Sequence, residues 1–199
     1  MSVDEANRGG FQFRSNVQGV KIYTRHGDDG MTSLRVGGRV RKDDLAIELV
    51  GTIDEAQAFL GLARSTAHPG GWLDKTLTRI ERDLWVLMAE VTTDESAHKG
   101  LEPGVTAVTK EMVDALEAEI DQITETLVLS ASFAVPGETR EAAQLDVART
   151  IVRRAERLAV GLDLADSHVL VYLNRLSDLC WTLARSQEVE HPVQERERG

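Results

Sequence analysis

Residues 71–91 read GWLDKTLTRIERDLWVLMAEV, and the apolar positions in this stretch decide the fold class. Leu73, Leu77, Ile80, Leu84, Leu87 and Val91 recur in alternating steps of four and three, the seam of a helix packed in a bundle. The same period extends in both directions. Upstream, it predicts a helix from Asp44, a side chain suited to an N-cap, to about Arg64, with Ile47, Val50, Ile53, Leu60 and Ala63 near one face. Downstream, Pro103 and Gly104 close a hairpin, and a third helix from about Thr109 to Leu127 carries Met112, Leu116, Ile120, Ile123 and Leu127. Pro136-Gly137 breaks the chain again. A fourth helix, about Glu138–Val160, turns Leu145, Ala148, Val152, Ala155 and Ala159 inward. A fifth, about Asp166–Arg185, uses Leu170, Leu173, Leu176, Cys180 and Leu183. Five amphipathic segments of about twenty residues, each ~30 Å long, describe an all-α, up-and-down five-helix bundle with no convincing strand ladder.

The chain has 199 residues, 42% of them hydrophobic, enough for one cored domain. Its 23 basic and 33 acidic side chains give −10, which argues against a globally basic nucleic-acid surface. The single cysteine, Cys180, cannot form an internal disulfide. It lies on the inward stripe of helix five and reads as a small core residue. The first twenty residues hold no apolar core of a signal peptide, and the run Val169 to Leu173 is far shorter than the ~20 residues that cross a bilayer. A cytoplasmic protein without a membrane partner is the expectation. Residues 1–19 and 187–199 read as flexible ends around a domain spanning 20–186.

The charge is unevenly placed. From Arg8 to Lys42, eight basic side chains stand against Asp28 and Asp29, a local +6 that leaves −16 elsewhere. Seven glycines share this stretch, too many for a helix. Such composition fits a disordered basic arm as well as an ordered loop, but Val20, Ile22 and Tyr23 read as a short strand-like element before it. In Tyr23 to Leu34, glycines let backbone N–H groups face a concavity while Thr24, Thr32 and Ser33 add hydroxyls, the physics of a phosphate cradle. No GxxxxGK[ST] is present, so it is not a P-loop. On helix four, Arg149, Arg153 and Arg157 stand at i, i+4 and i+8, with Glu156 close enough to orient Arg153 or Arg149. Such a stripe is either a solvated face or a seat for an anion such as a triphosphate. Asn174 and Asp178 are polar positions on helix five, open to a buried hydrogen-bonding role or a ligand contact. Glu95-x-x-His98 and Glu188-x-x-His191 have the spacing of di-iron ligands, but they fall in a connection and a tail rather than inside a bundle.

These runs together resemble the PduO-type ATP:cob(I)alamin adenosyltransferases. The resemblance rests on Tyr23 to Ser33, Arg39 to Asp44, Glu48 to Glu55, the turn near Phe133, Ala148 to Arg157 and Leu173 to Asp178, in order and over about Lys21 to Arg185. It implies a bundle of ferritin-like or cobalamin adenosyltransferase-like form, assembled as a homotrimer with each active site between subunits. By matching position it implies that Thr24, Arg25, His26, Gly27, Thr32, Ser33 and Lys42 bind ATP, completed by Arg153, Arg154, Glu156, Arg157 and Asn174. Asp54 would pair across the interface with Arg153, and Phe133 would displace the lower ligand of the corrin cobalt. The implied reaction moves the 5′-deoxyadenosyl group of ATP to cob(I)alamin and releases triphosphate, with Mg²⁺ held by the phosphates. A flavoprotein reductase and a cobalamin-dependent mutase or dehydratase are the implied partners. A non-catalytic adenosylcobalamin or ATP carrier on the same scaffold is the alternative, and a plain structural bundle a third. Departures from the family pattern are Asp29 where a Lys is common, His26 for a Thr or Asn, Ala134-Val135-Pro136-Gly137-Glu138 after Phe133, and Gln144 for a His.

Overall fold

The computed structural model describes residues 23, 25–127, 134–162, 164 and 166–188. Five helices carry the fold: α1 Leu45–Thr66, α2 Trp72–Val91, α3 Lys110–Thr124, α4 Arg140–Val160 and α5 Val169–Glu188. Each of the first, third and fourth begins on a side chain that accepts an otherwise unpaired N–H: Asp44 from Ala46, Thr109 from Met112, and Thr139 from Ala142. The periodicity places every seam residue of α2 in the core, together with Leu145, Ala148, Val152, Ala155 and Ala159 of α4. On α5 four of the five expected inward positions, Leu173, Leu176, Cys180 and Leu183, are buried. The fifth, Leu170, is exposed while Val169 and Tyr172 are buried, and the Tyr172 hydroxyl donates to Asp83 Oδ2 of α2 at 2.9 Å. Gln187 and Glu188 form the end of α5, where a frayed tail was expected.

Neighbouring helices alternate in direction. The α1/α4 contact pairs Thr66 with Gln144 at one end and sets Leu45 against Gly161 at the other. The α4/α5 contact pairs Asn174 with Glu156 and Arg185 with Asp146. The α4 helix lies between α1 and α5, while α2 flanks α1 and α3 flanks α5. Thr76 and Arg79 of α2 both donate to Glu119 of α3. The bundle therefore has one end holding the start of α1, the end of α2 and the start of α5. The opposite end holds the α1–α2 turn and the start of α4.

The expectation of no strand ladder is corrected at the N-terminal loop. Met31–Ser33 (β1) and Arg39–Arg41 (β2) form a two-stranded antiparallel hairpin, with Met31 opposite Arg41 and Ser33 opposite Arg39. Three-residue strands between glycines carry too little alternation to announce themselves. The hairpin tip docks on the end of α2, where the N–H groups of Arg35 and Val36 donate to Thr92 O at 2.8 and 3.4 Å. The Asp94 N–H donates to Val36 O at 2.9 Å. At the contact, Gly37 has φ +125°, and a Cβ there would lie 2.9 Å from Asp94 Cβ. Gly37→Ala is therefore expected to cost about 1–3 kcal/mol locally and to release the tip. Faster amide exchange at Arg35, Val36 and Asp94, with the helices unaffected, is the signature to look for.

Candidate active site

Most of the residues expected at the nucleotide site that are described fall into two groups on different parts of the surface. Thr24 and Phe133 lie outside the described residues. The first group is the loop leading into β1. It makes tight turns through Asp28 N–H to Arg25 O at 3.3 Å and Gly30 N–H to Gly27 O at 3.2 Å. Arg25 has φ 63°, an uncommon left-handed conformation for a non-glycine, and its guanidinium sits 5.5 Å from the centre of the Tyr23 ring. Lys42 follows β2, and its ammonium lies over Gly27, 2.9 Å from where a Cβ would sit. A side chain at position 27 would thus push the ammonium away. Thr32 and Ser33 occupy β1, so one short hairpin carries hydroxyls, backbone donors and a lysine together.

The second group lies on the α4/α5 face. Arg153 and Arg157 are exposed, and Arg157 Nη1 donates to Arg153 O at 3.0 Å. Glu156 accepts from Asn174 Nδ2 at 2.8 Å, while Asn174 Oδ1 accepts from Arg175 Nη1 at 2.5 Å. Glu156 therefore orients Asn174, not Arg153 or Arg149 as the spacing suggested. The expected three-arginine stripe is also shortened. Arg149 Nε donates to Asp146 Oδ1 at 3.0 Å, and the second oxygen of Asp146 accepts from Arg185. The i, i+3 spacing of Asp146 and Arg149 was a legible signal for this pairing. Arg154 points to the opposite side, where it pairs with Glu55 of α1. Asp54 is exposed beside it, and among the described residues neither Asp54 nor Arg153 has an ion-pair partner.

Other candidate chemistry resolves into structure. Cys180 is fully buried, and burial pushes its thiol pKa up to about 12, which suits a packing residue. Glu95 and His98 sit in a short 3₁₀ helix, Glu95–Gly100, beyond α2, and a ring nitrogen of His98 bonds Thr93 O at 3.0 Å. His191 lies outside the described residues. Asp178 is exposed on the α3/α5 groove, beside Asp121 and Trp181 rather than the arginines.

Residues 22–187 match the family model described as cobalamin adenosyltransferase. The chain belongs to the cobalamin adenosyltransferase family. A corrinoid adenosyltransferase of Citrobacter freundii is 37% identical over 177 residues, covering 87% of this chain and 98% of the relative. One from Bacillus subtilis is 39% identical, covering 83% and 86%. Among solved structures, a variant PduO-type ATP:corrinoid adenosyltransferase from Lactobacillus reuteri, complexed with cobalamin and ATP, superposes with a TM-score of 0.75. It is 29% identical and covers 85% of this chain and 91% of that one. The family match spans both groups of residues, the hairpin and the α4/α5 face. It also spans two of the departures from the adenosyltransferase pattern with visible roles. Asp29 forms a forked ion pair with Arg39, and Gln144 Oε1 accepts from Thr66 of α1 at 3.5 Å.

Proposed function

We propose that the chain is an ATP:corrinoid adenosyltransferase, carried by one observation: the glycine-rich hairpin and the exposed Arg153/Arg157 face are both present within a family match that spans them. The electron pair of cob(I)alamin attacks C5′ of ATP, the C5′–O bond breaks, and triphosphate leaves, so the protein needs no nucleophile of its own. Its residues instead orient ATP and meet the charge growing on the leaving group. Lys42 and the backbone N–H groups of the loop serve this end, as do Thr24, Thr32 and Ser33 with Arg25, His26 and Gly27. Arg153 and Arg157 act on the triphosphate, with Asn174 held in place by Glu156. Arg154 contributes by fixing α4 against α1 through Glu55.

The two groups of residues point to an oligomer. The hairpin is docked on α2, the arginines are exposed on α4, and α1 stands between α2 and α4. Among the described residues no hydrogen bond or ion pair joins the hairpin to Arg153, Arg157 or Asn174. A homotrimer in which the hairpin of one subunit covers the arginines of the next unites them, with Asp54 meeting Arg153 across the contact. Among the described residues no group of three or more His, Cys, Asp or Glu side chains is placed to hold a metal. Mg²⁺ would be bound through triphosphate oxygens, where it would supply charge neutralisation. The reaction calls for a flavoprotein reductase upstream, a cobalamin-dependent mutase or dehydratase downstream, and a cytoplasmic setting.

Incubation with ATP, Mg²⁺ and chemically reduced cobalamin should yield light-sensitive adenosylcobalamin and triphosphate. Binding of adenosylcobalamin without turnover would instead make the chain a carrier. The resemblance assigns Phe133 to keeping cobalt four-coordinate and so easier to reduce. Phe133→Ala is accordingly expected to slow turnover chiefly when cob(II)alamin and a reductant are supplied. Equal rates for variant and parent with that substrate would remove Phe133 from the cobalt site.

A further inference from the structure

We propose that Asp29 and Arg39 form a clamp that shapes the nucleotide loop before ATP arrives, making both positioning residues for this chain's reaction. The inference rests on the reading that the loop binds ATP. The geometry is specific. Arg39 Nη1 donates to Asp29 Oδ2 at 2.9 Å and Nη2 to Asp29 Oδ1 at 2.8 Å, a forked pair. The same Nη2 donates to His26 O at 2.5 Å. Asp29 Oδ1 also accepts the Met31 N–H at 3.1 Å, and the Lys42 N–H donates to Gly30 O at 2.9 Å. One guanidinium on β2 therefore ties together both halves of the turn at 26–29 and the entry to β1.

This assigns the loop cations different work. Arg39 spends both terminal nitrogens on the protein itself, whereas Lys42 makes no ion pair among the described residues. The Arg39 guanidinium, and then the Met31 N–H, hold the Asp29 carboxyl below the usual carboxylate range, so the pair stays charged across the neutral region. The pair gives the loop a fixed shape, which lowers the ordering cost of binding. The pair is exposed, so its effect belongs to the loop and not to global stability.

Two variants test this. Asp29→Asn keeps an acceptor for the Met31 N–H but loses the charge pair. Arg39→Lys keeps the charge but cannot fork. Each is expected to raise the KM for ATP about two- to fivefold, the scale of an exposed forked pair. The kcat should change less than about twofold, and the melting temperature should not move. Amide exchange at residues 26–33 without nucleotide should be faster in both. An unchanged KM in both variants, or a fall confined to kcat, would overturn the positioning role. Unchanged exchange would overturn the clamp. Failure of the unsubstituted protein to bind ATP in a calorimetric titration would overturn the nucleotide reading and the positioning role with it. The exchange measurement would still decide whether Asp29 and Arg39 shape the loop.

Discussion

Arg153→Ala should bring adenosyl transfer close to background, with kcat falling about 10²- to 10³-fold, the usual loss when one donor aimed at developing charge is removed. The melting temperature should fall by no more than the one pair with Asp54 of the neighbouring subunit is worth, about 1 kcal/mol or less. Arg153 is exposed and has no ion-pair partner among the described residues, so its truncation leaves no buried group unsatisfied. Its neighbours separate activity from folding less cleanly. Arg154→Ala would cut the pairing with Glu55, and Asn174→Ala would strand Glu156. A single-turnover assay beside a thermal melt makes the comparison. An active variant would mean that the exposed arginine face is merely solvated.

The second large effect is on stability. Asp146 and Arg185 are about 4% and 6% exposed and joined across α4 and α5, with Arg149 on the other oxygen and Glu188 2.9 Å from Arg185 Nε. Asp146→Ala leaves a buried guanidinium without its main partner and is expected to cost about 3–5 kcal/mol, read as a lower urea midpoint. Replacing both members, as Asp146→Leu with Arg185→Met, should cost much less, because the charges then leave together. If the single substitution cost no more than the double one, the pair would contribute nothing beyond packing. Asp146→Ala should also free Arg149 to rejoin the stripe that the sequence drew.

The bundle was legible in the sequence because each helix repeats its apolar spacing over about four to six turns. The α2 seam and the Ala/Val face of α4 needed no tertiary information. What sequence missed lies at long range or in short elements. Asp146 and Arg185 are 39 positions apart, and nothing local marks them as partners. Leu170 is exposed where the spacing puts it inside, and Val169 and Tyr172 fill the start of the α5 core instead, the latter bonded to Asp83. The two strands of the hairpin are three residues each, and their order comes from docking on Thr92 and Asp94. Site residues were legible as motifs, yet a motif does not state its neighbours. Glu156 faced Asn174, and Arg154 faced Glu55. Gln144 and Asp29 likewise acquire meaning only from what sits opposite them.

The separation of the hairpin from the arginine face has a genetic consequence. If each reaction centre borrows its loop from one subunit and its arginines from another, damage to the two halves is not additive but complementary. A chain inactivated by Lys42→Ala and a chain inactivated by Arg153→Ala, denatured together and refolded as a mixture, would regain part of the activity that each lacks alone. Some mixed assemblies would pair an intact loop with an intact arginine face. A cell expressing both damaged alleles would then make adenosylcobalamin where neither allele suffices.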